Sequence, residues 1–342
     1  TQIVVGTPGR VIDLINRKSL RLKDVDFVVE AVFENSELKA QITKLGEAEI
    51  GETAVFGSNT STIPITSLAD ASIRPENFIG IHFFSPVHRM ALVEIIKGEE
   101  TSDYAISRAV DFVTKIKKLP IIVEDGRAFF ANRCVMRFGR EGVNMLTEGV
   151  KPALIENAAK MAGMPVGPLS LQDEVSIDLA YKLIQQTMGD LGNTYEASKM
   201  DGVVTAMYEE GRYGRKNGKG FYAYDGKKKQ LWEGLDRFAT EGILDPQPPV
   251  EDVIDRLLYS QAIEAARTMS EGIVHDPREA DLGSIFGWGF PAFTGGVLSF
   301  IDTVGLAKFV ARADELARQH GDQFEVPDVL REMATQGKRY YA

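Results

Sequence analysis

The chain has 342 residues, 44% of them hydrophobic and 26% charged, an ordinary globular composition with room for two or three domains and no sign of disorder. A formal net charge of −10 argues against nucleic-acid phosphates as the main ligand. The single cysteine, Cys134, excludes a disulfide framework and a thiolate metal cluster, and no apolar run reaches the ~18 residues of a membrane span. With no signal peptide visible, these features point to a soluble cytoplasmic protein with no metal site; the start at Thr1, without methionine, suggests a fragment or a processed product.

Residues 1–23 read as a short strand, a Gly/Pro turn and an amphipathic helix with Val11, Leu14 and Ile15 on one face. DFVVEA (26–31) is a compact apolar strand, followed by a helix over about 35–48 and a strand, AVFGSN, ending at Asn59. ITSLADAS reads as helix, a further strand ends at His82, and LPIIVED closes the first domain near Gly126. Strands alternating with helices predict a mostly parallel α/β sheet with ligands gathered at the strand ends. Three of those ends carry polar groups: Glu34, the cluster Ser58-Asn59-Thr60-Ser61, and His82. Taken singly, Ser58 to Thr62 reads more readily as a helix-capping loop.

In FIGIHFFSPVHRMALVEIIK (78–97), His82 and Glu94 lie twelve residues apart on β-prone segments separated by Ser85-Pro86-Val87-His88-Arg89. Folding back about Pro86 to Arg89 would bring the two side chains to a cross-strand Cβ separation of roughly 5 Å. A carboxylate on one ring nitrogen would fix the tautomer and leave the other nitrogen to take a proton. The plainer alternative is a core histidine with a satisfied hydrogen bond.

Beyond Gly126 the helical period dominates, over 129–147, 153–161, 177–188 and 203–210, up to the basic, Gly-rich GRYGRKNGKGFYAYD and its aromatic strand. The remainder repeats this unit: MLTEGV (145–150) with MPVGPLSLQDEVSIDLA (164–180) returns as TMSEGI (268–273) with FPAFTGGVLSFIDTVGLA (290–307). DPQPP (245–249) is the boundary between the copies, and Asp302 falls where the first copy has Asp173.

From about Val25 onward the chain resembles the L-3-hydroxyacyl-CoA dehydrogenase region of bacterial multifunctional fatty-acid oxidation proteins, through FVVEAVFEN, SNTS, GIHFFSPVHRMALVEII, FFANR, MPVGP and GRKNGKGFYAY. The resemblance implies NAD-dependent oxidation of a 3-hydroxyacyl-CoA to the 3-ketoacyl-CoA in fatty acid β-oxidation, with His82 as base and Glu94 as its holder. It also implies Ser61 at substrate and nicotinamide, Asn132 positioning the substrate, and Glu34, Lys39, Ser85 and Lys216 near NAD. Without it, Asn132 reads as a helix-start residue, and Glu34, Lys39 and Lys216 as solvated faces. Assembly as a homo-oligomer or with a thiolase partner is a further implication. The second helical copy, lacking a counterpart of His82, is expected to be structural and to cover the acyl-CoA cleft.

Residues 1–24 depart from that family. They carry no GxGxxG turn for a pyrophosphate, and IVVGTPGRVIDLINRKSLRLKDVDFVV resembles a segment of DEAD-box RNA helicases instead, without their ATP-handling motifs. In GTPG, Pro8 removes a backbone donor where amides would be wanted.

The expected organisation is therefore an atypical segment (1–24), the remainder of an incomplete Rossmann-like domain (25–126), and two related all-α domains (127–230 and 250–342). The expected activity is the dehydrogenase, impaired by the missing glycine turn. The alternative is a catalytically silent acyl-CoA-binding or assembly module. A third reading is an RNA-binding remnant led by Thr7 and Arg10, against which the acidic charge stands.

Overall fold

In a computed structural model, residues 6–17 and 19–341 are described; the strand expected at the start of the chain lies outside them. The chain divides into two units, one made of 1–132 and 268–288, the other of 133–267 and 289–342.

In the first unit, helix α1 (Pro8–Asn16) begins with Thr7 as N-cap, its hydroxyl accepting from Arg10 N, and with Pro8 in the first turn, where a missing N–H costs nothing. Next come β1 (Phe27–Glu30), α2 (Ser36–Glu47), β2 (Val55–Ser58), α3 (Ile65–Ala69), β3 (Phe78–Phe83), β4 (Leu92–Lys97), α4 (Asp103–Lys115) and β5 (Leu119–Glu124). Among the described residues the five strands form one sheet in chain order. β1–β2, β2–β3 and β4–β5 are parallel, each pair joined through a helix. β3 and β4 are antiparallel, because the link from Phe84 to Ala91 is too short for the crossover that parallel strands need. The expected mostly parallel α/β sheet is found.

The sheet is buried by its own composition. Val55, Ile79, Ile81, Val93 and Ile95 present one face to Ala105, Ala109 and Val113 of α4, which recur every fourth residue and so share one helix face. On the other side Gly80 lets α3 approach, since a Cβ there would fall 2.6 Å from Ile65 Cδ1. The outer edge of β5 is satisfied by the returning segment 268–288: Glu124 N donates to Ile273 O (2.9 Å) and Ile122 N to Glu279 Oε1 (3.0 Å).

The second unit is helical apart from one hairpin. It contains most of α5 (Ala131–Thr147), then α6 (Pro152–Met161), α7 (Pro168–Val175), α8 (Ile177–Leu191) and α9 (Lys199–Glu209). The hairpin β6–β7 (Tyr222–Asp225, Lys228–Leu231) follows, then most of α10 (Val250–Ser270). α11 (Pro277–Gly283) belongs to the first unit, and α12 (Val297–Val304), α13 (Leu306–His320) and α14 (Asp328–Thr335) complete the second. The two aspartates matched by spacing in the sequence make similar bonds. Asp173 accepts from Phe221 N and Tyr222 N (2.7 and 2.9 Å), and Asp302 accepts from Tyr340 N and Tyr341 N (3.1 and 3.0 Å). Each aspartate thus braces the end of its own repeat. No helix among the described residues is long and apolar enough to cross a membrane.

Candidate active site

The β3–β4 register sets His82 directly opposite Glu94. His82 Nδ1 lies 2.6 Å from Glu94 Oε2, and the residues are 5% and 0% exposed. The second carboxylate oxygen is also used, Oε1 accepting from Ala131 N at 2.8 Å at the start of α5. A buried carboxylate with both oxygens engaged cannot swing, so the ring it holds is fixed in place. Phe84 packs on the imidazole at 4.4 Å between centroids and Phe129 at 6.1 Å. His82 Nε2 forms no hydrogen bond with any described residue, which leaves one nitrogen of a held ring able to exchange a proton.

The strand ends beside it are tied together. Glu34 Oε1 accepts from Thr60 Oγ1 (2.7 Å), Ser61 N (2.9 Å), Thr62 N (3.0 Å) and Thr62 Oγ1 (3.1 Å), so the loop after β2 wraps one carboxylate. Asn132 Nδ2 donates to Ser61 O at 2.9 Å, linking the start of α5 to that loop, while the Ser61 hydroxyl has no partner among the described residues. Asn59, not singled out by itself in the sequence, accepts from Phe83 N through Oδ1 at 3.1 Å and so supports the residue next to His82. Its membership in the Ser-Asn-Thr-Ser cluster was the available signal.

Of the residues expected at the site, the structure therefore gathers His82, Glu94, Ser61, Asn132 and Glu34 in one unit. Ser85 is exposed in the β3–β4 connection. Lys39 is 1% exposed, with Nζ on Glu30 Oε1 (2.9 Å) and Asn59 O (2.8 Å); its ammonium joins strand ends. Lys216 lies exposed in the second unit, paired with Asp178 and 5.6 Å from the centre of the Tyr213 ring. Burial works against ionisation of Asp178, but hydrogen bonds from Lys216 and Ser176 outweigh it and hold the carboxyl below its usual range.

These groups fit one end of a dinucleotide. A carboxylate, an unpartnered hydroxyl and a held imidazole suit a nicotinamide riboside and the carbon that exchanges hydride with it. The pyrophosphate end is different. The start of α1 is capped by its own Thr7 and carries Pro8, and the described residues offer no glycine turn there.

Two family profiles cover adjoining parts of the chain: the NAD binding domain of 3-hydroxyacyl-CoA dehydrogenase matches residues 10–126, and the C-terminal domain of 3-hydroxyacyl-CoA dehydrogenase matches 129–224. The first match starts inside the segment that reads as helicase-like, so most of α1 falls within the dehydrogenase domain. A fatty acid oxidation complex subunit alpha from Shewanella halifaxensis is 41% identical over 325 residues, 94% of this chain and 45% of that protein. The chain thus spans about half the length of the curated relatives it matches. Crystal structures show the same fold. A 3-hydroxybutyryl-CoA dehydrogenase from Escherichia coli has a TM-score of 0.78 at 18% identity, over 96% of this chain and 89% of that one. An (S)-3-hydroxybutyryl-CoA dehydrogenase from Ralstonia eutropha has a TM-score of 0.54 at 32% identity, over 64% of this chain and 83% of that one.

Proposed function

Because the chain belongs to the 3-hydroxyacyl-CoA dehydrogenase family, we propose that it interconverts L-3-hydroxyacyl-CoA and 3-ketoacyl-CoA with NAD, as a step of fatty acid β-oxidation. The observation that carries this reading is the His82 Nδ1 to Glu94 Oε2 contact of 2.6 Å, with Glu94 locked from behind by Ala131 N and His82 Nε2 unspent.

Bound NAD would supply the acceptor for the hydride that leaves carbon 3. His82 Nε2 takes the proton of the C3 hydroxyl, and Glu94 stabilises the imidazolium that results. A base placed in this way contributes about 10²–10⁴ in rate. The Ser61 hydroxyl and the Asn132 amide orient the reacting oxygen and stabilise the charge it gains. Glu34 and Ser85 hold the nicotinamide-ribose end. Lys39 acts on this end indirectly, by holding Asn59.

Reduction of acetoacetyl-CoA followed by loss of NADH absorbance, in the parent chain and in Glu94→Gln, tests the assignment; equal rates would remove Glu94 from the mechanism. The start of α1 supports weak cofactor binding. A fluorescence titration giving an NAD dissociation constant tighter than about 1 mM would overturn that expectation.

The same feature favours one second reading, an acyl-CoA-binding or assembly module without turnover. It gains if acetoacetyl-CoA binds, no NADH is consumed and His82→Ala changes nothing. The family resemblance supports a cytoplasmic location and assembly as a homo-oligomer or with a thiolase. Light scattering on the chain alone, and again with a thiolase subunit, separates these assemblies.

A further inference from the structure

The second helical repeat departs from the first in the helix that begins it. In the first, α6 starts at Pro152 and runs as plain helix towards Pro165. In the second, α11 starts at Pro277, continues as a π-helical turn over Ser284–Trp288 and reaches Pro291, a path one residue longer. A π turn is how a helix absorbs a single inserted residue, and such turns occur most often where a side chain must be re-aimed for function. This one lies in the first unit, with the sheet.

Gly287, inside the π turn, is buried against three groups. A Cβ on it would fall 2.8 Å from Leu92 Cδ2, 3.8 Å from Ala131 Cβ and 3.9 Å from Phe84 Cε1. Two of these neighbours touch the acid–base pair, and the third lies on the strand that carries Glu94. Leu92 precedes Glu94 by two residues on β4 and shares its strand face. Ala131 supplies the N–H that holds Glu94 Oε1. Phe84 packs on the imidazole of His82. Trp288, the last residue of the turn, packs edge-on against Phe130 at 5.5 Å, immediately before Ala131. The φ of Gly287 is not in the left-handed region, so the glycine is required by space and not by backbone shape.

We infer that the π turn of the second repeat is a positioning element for the His82–Glu94 pair, with Gly287 as the contact through which it sets Leu92, Phe84 and Ala131. The duplicate copy, which carries no base of its own, then acts on the chemistry by fixing the base of the sheet domain. In its kinetic part this inference rests on the proposed dehydrogenase function; in its structural part it does not.

The test uses the full chain and two readouts. The first is the low-field proton NMR signal of the His82 Nδ1–H bonded to Glu94, assigned by its absence in His82→Gln and read without turnover. The second is NADH-dependent reduction of acetoacetyl-CoA. Gly287→Ala is expected to weaken or abolish the signal and to lower kcat about tenfold to a hundredfold, the scale of a misplacement near 1 Å, with KM little changed. Gly287→Ala/Leu92→Ala removes the crowding and should restore both. Should Gly287→Ala not fold, Leu92→Ala loosens the same contact from the sheet side, and its lost signal should likewise return in the double variant. A Gly287→Ala chain that keeps the signal and kcat while only its Tm falls would overturn the inference, leaving the turn as packing alone. A parent chain that reduces no acetoacetyl-CoA, yet shows the same loss and recovery of the signal, would overturn the proposed function and leave the positioning role standing.

Discussion

Two buried acid–base pairs sit on the same sheet and end up with different work. At the end of β1, Glu30 pairs with Lys39; across β3 and β4, Glu94 pairs with His82. Both carboxylates are buried, and both accept from a backbone N–H as well as from the base: Val32 N for Glu30, Ala131 N for Glu94. The Glu30 pair is closed, because the Ser58 hydroxyl also donates to Glu30 and the Lys39 ammonium reaches on to Asn59 O. The Glu94 pair is open, because His82 keeps Nε2 free. Burial and pairing alone therefore do not mark a reacting group. An unspent atom on a held base sets the second pair apart, and it is the atom the proposed reaction uses.

The comparison can be broken at either pair. The largest effect is expected from His82→Gln, which should lower acetoacetyl-CoA reduction by about 10²–10⁴-fold with little change in Tm. A variant retaining most of its rate would put His82 on a par with Lys39. Next comes Lys39→Ala, which leaves Glu30 charged and uncompensated in the interior. Chemical denaturation should show a loss of about 3–5 kcal/mol, and a loss below about 1 kcal/mol would mean that the closed pair is not a structural clamp.

A partly buried base, His320 in the second unit, sharpens the contrast. Burial, helped by the Arg256 guanidinium, pulls its pKa down from 6.5 to about 4, against the opposing pull of Glu148. Above pH 6.5 it is neutral folded or unfolded. As the pH falls from 6.5 to about 4, the unfolded chain takes up a proton that the folded chain refuses, so stability is lost across that window, by up to about 3 kcal/mol. His320→Gln should flatten that part of the stability profile; an unchanged slope would show that another group sets it. The smallest effect belongs to Ser58→Ala, which removes one donor from Glu30 and should cost about 1 kcal/mol, with denaturation again the measurement.

The open pair was legible because alternation and a proline turn set a hairpin register, and that register places His82 opposite Glu94. The bracing role expected of Asp173 and Asp302 is found, each accepting from two backbone N–H groups. Helix α4 was not assigned from the sequence, although Ile106, Val110 and Phe112 flank its buried Ala105, Ala109 and Val113. The enclosure of Lys39 was hidden because it depends on where the ends of β1 and β2 meet, while a lysine in an amphipathic helix reads as solvent-facing. The π turn was hidden for a geometric reason. One extra residue changes no composition and little periodicity, and shows only when the two copies are laid over each other in space.

That extra residue also bears on how the chain can change over generations. In an α-helix one residue is about 100° of rotation, so deleting a single codon within Ser284–Trp288 would turn everything after it away from its present contacts. Swapping the first copy's stretch into the second would do the same. Because the two stretches differ by one residue, neither fits in the other's place, and exchange between them is expected to yield chains that fail.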